Sequence, residues 1–319
     1  MILLNGIEVT VITFPNKEVS IRYDGPNDFD MNRVVWTYES NQDFLLLKLV
    51  EELLLTKDFK TSMAKCTITY MPYSRMDRAH NGHPFSLRGV IEMLPTEWEY
   101  TVIEPHSHVT VDLLESLTDN DVNVVNPSYD ILKRELAQWE MFDMGINGLN
   151  ESVYIVFPDK GAYDRAVYYG LIEELKDNFG DTIEDCILLG KKSRGWVGDI
   201  EGLQLSRLDG NDVSTDVSKM TAFVVDDLVS YGGTFYRVVE LIRSLGVNDV
   251  RLIATHLEDS VYKGELTTLG CPIHGTDSMG ITRRHDNVHV DSLIDTYPEL
   301  FRNIPVKEAT VQREEEGEE

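Results

Sequence analysis

The sequence predicts an α/β fold with mostly parallel sheets. Short apolar runs rich in β-branched and aromatic residues alternate with longer amphipathic stretches. The runs carry little charge, as strands covered on both faces do. Strand, helix and strand follow one another in both halves, which hints at two related α/β domains.

Strands are expected at Val34–Thr37, Thr67–Tyr70, Tyr100–Ile103, Val153–Phe157, Cys186–Leu189, Thr221–Val225 and Val250–Ala254. Helices are expected at Asp43–Leu55, Val109–Leu117, Tyr129–Asp143, Tyr163–Asn178, Thr234–Leu245 and Val290–Leu300. Within Tyr163–Asn178 the residues Val167, Leu171 and Leu175 recur at helical spacing. The Gly- and Asn-rich stretch Gly145-Ile146-Asn147-Gly148-Leu149-Asn150 reads as a boundary between domains at 1–148 and 149–306. The plainer alternative is a helix cap and loop inside one domain. The acidic segment 307–319 has too little apolar content to pack and is expected to be disordered.

The 319 residues suit about two domains at roughly 150 residues each. Lys and Arg total 29 against 55 Asp and Glu, a net charge of −26. Nucleic acid or an anionic membrane as main partner is excluded, since either needs a basic footprint. Small anionic substrates need only a local cationic pocket. The three cysteines, Cys66, Cys186 and Cys271, form no CxxC pair, which disfavours a disulfide framework or thiolate zinc site and points to a reducing compartment. No apolar run is long enough to span a membrane, and Met1-Ile2-Leu3-Leu4-Asn5 lacks signal-peptide character. A cytoplasmic protein is expected.

The segment richest in chemistry is Phe223-Val224-Val225-Asp226-Asp227-Leu228-Val229-Ser230-Tyr231-Gly232-Gly233-Thr234. A buried strand leads into two acids, then a glycine turn, then a helix. Ligands of parallel sheets bind beyond the carboxyl ends of strands. Glycines let backbone N–H groups approach an anion, and a helix N-terminus adds positive potential. Adjacent carboxylates can hold the vicinal hydroxyls of a sugar. The plainer alternative is a turn with solvated acids.

Other candidates follow the remaining strands. Arg75 and Arg78 flank Asp77; paired guanidinium groups suit phosphate, and Asp77 can orient one of them. A surface ion pair is the alternative. His106 closes a strand with His108 two residues on, half of a zinc site at most. Taken alone it is more simply a hydrogen-bonded side chain. Asp159 is a hard oxygen donor suited to Mg2+, or a helix N-cap. Lys192 and Arg194, with Lys191 as the alternative, lie just past the strand ending at Leu189; cations in a closing loop can stabilise a transferring phosphoryl group. A solvated basic loop is the alternative.

Asp226-Asp227 with Gly233-Thr234 resembles the ribose-phosphate loop of the type I phosphoribosyltransferase fold. Five further segments narrow the resemblance to the ribose-phosphate pyrophosphokinases: Phe14–Arg22, Met71–Arg78, Ile103–His106, Pro158–Ala166 and Lys191–Arg194, which together with the ribose loop fall in the family's order. The resemblance implies two phosphoribosyltransferase-like domains, an ATP side and a ribose-phosphate side, in a homo-oligomer. It implies transfer of the β,γ-diphosphate of ATP to the anomeric hydroxyl of ribose 5-phosphate, with AMP released. Lys192 and Arg194 would be catalytic. Phe14, Asn16 and Glu18 (reaching a neighbouring subunit), with Arg75, Met76, Asp77 and His106, would bind ATP. Asp226, Asp227, Ser230, Tyr231, Gly232, Gly233 and Thr234 would hold the ribose phosphate. His106 and Asp159 would hold Mg2+.

The chain departs from the family at Asn16, Lys17, Met76, Glu104-Pro105 and Ala162. Ser230-Tyr231 stands where the family usually has Asp-Thr. Tyr231 removes a small hydroxyl donor and adds an aromatic face, which suits a 5′-substituted ribose such as ADP-ribose. The sequence also leaves open a phosphoribosyltransferase and a non-catalytic regulatory relative. No Walker A motif is present.

Overall fold

The computed structural model describes residues 1–142, 153–194, 200–210, 220–281 and 285–301. The first part of the chain carries strands β1 (Ile2–Leu4), β2 (Ile7–Glu8), β3 (Thr10–Thr13), β4 (Val19–Arg22) and β5 (Asn32–Trp36), then helix α1 (Asp43–Leu54). Strand β6 (Ala64–Ile68), α2 (Ser86–Ile91), β7 (Glu99–Ile103), α3 (His108–Thr118), β8 (Asn123–Val125) and α4 (Pro127–Phe142) follow. The second part has β9 (Val153–Phe157), α5 (Lys160–Tyr168), α6 (Leu171–Phe179), β10 (Ile187–Arg194), β11 (Ile200–Arg207) and β12 (Thr221–Val229). It ends with α7 (Gly233–Ser244), β13 (Asp249–Leu257), β14 (Ile273–Thr276), β15 (Val288–Asp291) and α8 (Leu293–Thr296).

The first sheet has strand order β2-β1-β5-β6-β7-β8, and the second β11-β10-β9-β12-β13-β14-β15. Both are parallel at their centres, with antiparallel pairing of β2, β1 and β5 at one edge of the first sheet and of β10 and β11 at one edge of the second. Parallel pairing forces crossovers, and the crossovers place helices on the sheet faces. All five residues of β9 are buried for this reason. The second sheet is covered on both faces. Phe235, Val238, Val239 and Ile242 of α7 join one core, and Leu132 and Leu136 of α4 join the other with Leu171, Ile172 and Leu175 of α6.

The two parts exchange elements. Helix α4 precedes the Gly145–Asn150 stretch yet packs on β12, β13 and β14 of the second sheet. In return Leu293 and Phe301, near the end of the described chain, cover Val35 and Ile103 of the first sheet. The boundary stretch itself lies outside the described residues, as does the acidic tail.

Three sequence expectations change. The stripe Val167–Leu171–Leu175 does not belong to one helix: Gly170 takes φ +78 and separates α5 from α6, and Val167 is exposed. The stretch Val290–Leu300 is not a helix. Val288–Asp291 pairs with β14 as an edge strand, and α8 stops before Pro298, which forces Tyr297 out of helical geometry (φ −126, ψ 59). Lys192 and Arg194 are not in a loop; β10 runs on to Arg194 because β11 pairs with it, Lys192 opposite Leu203 and Arg194 opposite Ile200. Residues 195–199, beyond Arg194, lie outside the described residues.

The carboxyl ends of the two sheets face each other. Thr69, just past β6, donates to the Ser278 carbonyl at 2.7 Å, and Tyr70 meets the His256 ring edge-on at 4.9 Å. No helix among the described residues is long and apolar enough to cross a membrane.

Candidate active site

Strand β12 carries the acid pair inside its hydrogen-bonded length, not beyond its end. Asp226 is in register with Ala254 of β13, and pairing continues to Val229. The sequence expectation ended this strand at Val225. Both carboxylates are therefore withdrawn from solvent, with side-chain exposures of 16% and 5%. Buried charges need partners. Arg165 supplies the first: its Nη2 donates to Asp226 Oδ1 at 2.5 Å and to Asp227 Oδ1 at 2.7 Å. Its Nη1 donates to the His106 carbonyl at 3.2 Å, which ties the second sheet to the first. His106 supplies the second, with Nδ1 at 2.7 Å from Asp227 Oδ2. That bond fixes Nδ1 as the protonated nitrogen and leaves Nε2 to accept or ligate.

These contacts split the pair electrically. Burial and the neighbouring Asp227 charge push the Asp226 carboxyl up to about 7, against the pull of Arg165. Burial pushes Asp227 up as well, but the Arg165 charge and the bond from His106 outweigh it and hold it well below the usual carboxylate range. One cation shared by two acids stabilises one negative charge fully and the second only in part.

Beside Arg165 and His106 lies a cavity of about 360 Å³ lined by residues of both parts of the chain, among them Asp77, Arg78, His106, Gly161 and Arg165; the acid pair stands behind its wall. Two helices begin at its wall. Helix α3 starts at His108, and Ser107 at its N-cap turns its hydroxyl to Asp77 Oδ2 (2.9 Å) rather than to the helix. Helix α5 starts at Lys160, with Asp159 as N-cap accepting from the Ala162 N–H at 3.1 Å. Amide dipoles at helix starts favour anions. Asp77 is buried and grips Arg78 through both oxygens, at 2.9 and 3.2 Å. Desolvation raises the Asp77 carboxyl, but the bonds from Arg78 and Ser107 prevail and lower it. The wall carries two arginines, Arg78 and Arg165, against two aspartates, Asp77 and Asp164, and is thus balanced rather than acidic in a chain of charge −26.

The glycine turn follows β12. Gly232 adopts φ +77 and a Cβ there would come within 2.5 Å of Leu266, so only glycine fits. Gly233 opens α7 with open space beside it. Ser230 Oγ donates to Glu258 Oε2 at 2.6 Å, and Ser260 Oγ donates to the same oxygen at 2.8 Å. A carboxylate therefore stands beside the turn. Tyr231 is 60% exposed.

No family model matches the chain. Ribose-phosphate pyrophosphokinase of Pyrococcus furiosus is 28% identical over 253 residues, 78% of this chain and 77% of its own length. That of Thermococcus kodakarensis is 27% identical over 252 residues, 78% of each. The chain is a divergent relative of the ribose-phosphate pyrophosphokinases. The crystal structure of phosphoribosylpyrophosphate synthetase from Mycobacterium smegmatis shares the fold, with a TM-score of 0.65 over 93% of this chain and 91% of that one, at 21% identity. Two facing parallel-centred sheets flanked by helices are thus the fold of this pyrophosphokinase relative.

Of the residues expected from sequence, the fold brings Asp77, His106, Asp226 and Asp227 together. Asp159 lies close enough for its charge to raise Asp226. Phe14, Asn16 and Glu18 stand apart, at the exposed tip of the β3–β4 hairpin, where Lys17 takes φ +73. Arg75 and Met76 are exposed and do not line the cavity. The backbone places Lys192 and Arg194 on β10, two strands from β12.

Sequence reasoning missed Arg165 and a buried knot behind the site. Glu104 (φ +33) accepts from Ser128 Oγ at 2.6 Å, from the Ser128 N–H at 3.1 Å and from Thr255 Oγ1. His256 Nε2 donates to the Glu104 carbonyl at 3.0 Å, and its Nδ1 accepts from Ser278 Oγ at 2.8 Å. Burial pushes the Glu104 carboxyl up to about 7 and the His256 imidazole down to about 4. One signal was available for Arg165: it lies between Ala162 and Ala166 on the buried stripe of α5, where a charge implies a buried partner.

Proposed function

We propose that the chain is an ATP-dependent diphosphokinase that transfers the β,γ-diphosphoryl group of ATP to the anomeric hydroxyl of a ribose 5-phosphate moiety. The observation that carries this is the convergence of two helix starts and Arg78 on one cavity whose Arg165 and His106 are held from behind by the Asp226–Asp227 pair. The named activity of its relatives supports it. The anomeric oxygen attacks the β-phosphorus, the bond from that phosphorus to the α,β-bridging oxygen breaks, AMP leaves with that oxygen, and the hydroxyl proton is released. Catalysis of this kind is mostly positioning and electrostatic stabilisation.

The acids have different tasks. Asp227 spends both oxygens on Arg165 and His106 and holds the cleft together. Asp226 bonds Arg165 through Oδ1, and its Oδ2 takes the sugar hydroxyl. The Gly232–Thr234 turn and the start of α7 take the 5′ end, and the helix starts of α3 and α5 with Arg78 take the polyphosphate. Lys192 and Arg194 stabilise charge developing on the transferred group.

Mg2+ fits the donor set. His106 is oriented through Nδ1 by a carboxylate, in the manner of metal-ligating histidines, and Asp159 is a hard oxygen donor close to Asp226. Among the described residues no group of three His, Cys, Asp or Glu side chains is arranged to hold a metal ion by itself, so water and substrate phosphates would complete the shell. When bound, the ion neutralises phosphate charge. The β3–β4 hairpin, with Ile12 and Phe14 exposed, would meet a second copy of the chain. Three free, buried cysteines accord with a cytoplasmic setting.

The acceptor ADP-ribose is favoured by one observation. Glu258 sits behind Ser230, at the turn where a 5-phosphate dianion would lie, and repels it. A diphosphate diester spreads less charge at that point, and its adenine can stack on exposed Tyr231. Incubation with ATP and either sugar, with product masses recorded, decides. AMP with a diphosphorylated sugar is expected. Diphosphorylated ADP-ribose alone would name the acceptor. No AMP from either sugar would leave a phosphoribosyltransferase or a regulatory relative.

A further inference from the structure

A third acid stands near the end of the second sheet that carries Asp226 and Asp227. Val229 of β12 is in register with Leu257 of β13, so Ser230 and Glu258 leave the sheet side by side. The Glu258 N–H still donates to the Val229 carbonyl at 2.9 Å, which ties the two strand ends together. Two hydroxyls then converge on one carboxylate oxygen. Ser230 Oγ lies 2.6 Å and Ser260 Oγ 2.8 Å from Glu258 Oε2, and the two hydroxyls are 3.1 Å apart. Ser260 belongs to the short helical segment Asp259–Lys263. The chain just after it is pressed onto the turn, since a Cβ at Gly264 would run into the Tyr231 carbonyl. The clasp is thus built into the fold. Its charge also reaches the cleft: burial pushes the Tyr70 hydroxyl up, and the Glu258 and Asp227 charges push it further.

A serine hydroxyl carries one proton. Ser230 and Ser260 spend theirs on Glu258, so neither donates to an anion at the turn. A negative charge stands where those donors would act. A terminal phosphate brings about two negative charges to that point, whereas an esterified phosphate brings about one, and repulsion scales with the charge. We propose that Glu258 determines which sugar the site accepts: it bars a terminal 5′-phosphate and admits a 5′-phosphate that is esterified. This rests on the reading of the Gly232–Thr234 turn as the seat of the sugar's 5′ end. Selection then lies in one carboxylate and not in the turn's backbone, whose N–H groups at the start of α7 suit either anion.

The test is titration calorimetry on the full chain with ribose 5-phosphate and ADP-ribose. It compares the parent with Glu258→Gln, which keeps the shape and an acceptor oxygen and removes the charge. The parent binds ADP-ribose more tightly than ribose 5-phosphate. In Glu258→Gln, ribose 5-phosphate binding tightens by about tenfold and ADP-ribose binding changes by less than about threefold. Glu258→Ala moves the preference in the same direction. Ser260→Ala removes one arm of the clasp, keeps the charge and retains the parent's preference. Thermal melting checks that each variant is folded. Ribose 5-phosphate binding unchanged in both Glu258 variants, or both sugars tightened alike, overturns the assignment, as does a parent that does not prefer ADP-ribose. Failure of the diphosphokinase reading looks different: the preference moves with Glu258, and yet neither parent nor variant releases AMP from ATP with any sugar.

Discussion

His106 and Asp227 meet across the cleft between the two sheets, with Nδ1 and Oδ2 2.7 Å apart although 121 residues separate them. Asp227 also binds Arg165, whose other nitrogen reaches back to the His106 carbonyl. One buried carboxylate thus closes a ring of three residues that spans both parts of the chain.

Removing that carboxylate leaves Arg165 buried with one of its two carboxylate partners. Asp227→Ala is expected to destabilise the fold by about 3–5 kcal/mol, the usual cost of orphaning a buried charge. Urea denaturation of the two proteins measures it. A loss under about 1 kcal/mol would show that Asp227 does not hold the cleft.

Two buried groups of the knot pull stability in opposite directions as pH rises toward neutrality: Glu104 lowers it, and His256, held at about 4 by burial, raises it up to its ordinary 6.5. Glu104 titrates at about 7 in the fold, where burial raises it, against its ordinary 4.5. Between those values the folded chain holds a proton that the unfolded chain has lost, so its share of the stability drops across that window and levels off above it. The contribution is about 3 kcal/mol at 1.36 kcal/mol per pH unit. Asp226 acts in the same direction. Between pH 5 and 8, in chelator, the melting temperature of the parent should fall relative to that of Glu104→Gln. Equal slopes would remove Glu104 from the pH response.

The two turn glycines should separate fold from function. Gly232→Ala meets Leu266 and a positive φ, and should cost about 1–3 kcal/mol. Gly233→Ala meets nothing within 4 Å and should melt like the parent. If the turn holds the sugar's 5′ end, Gly233→Ala nevertheless raises the KM for the sugar. An unchanged KM would take the turn out of the site.

Lys192→Ala and Arg194→Ala should each lower kcat by about 10²–10³, the typical effect of losing one donor to transition-state charge, with the melting temperature unchanged. Unaltered turnover in both would remove β10 from the chemistry.

Much of this was legible in the sequence. The apolar run Val153–Phe157 matches β9, because a central strand buried on both faces has no alternation to misread. The edge strands were harder. β11 and β15 carry mixed polarity and are set by a neighbour's backbone, which no local pattern records. The acid pair was legible as a candidate, but its withdrawal into β12 was not, because Arg165 and His106 come from distant segments. Asp159 shows both faces of its sequence reading, an N-cap by geometry and a metal donor by proposal.

The central claim is that this cleft moves a diphosphate, intact, from ATP to a sugar. The direct measurement is the fate of ATP labelled at the β-phosphorus, followed by phosphorus NMR with ribose 5-phosphate or ADP-ribose present. AMP should appear in equal amount with a sugar diphosphate that carries the label. ADP as the nucleotide product, or label released as free phosphate with the sugar unchanged, would contradict the account.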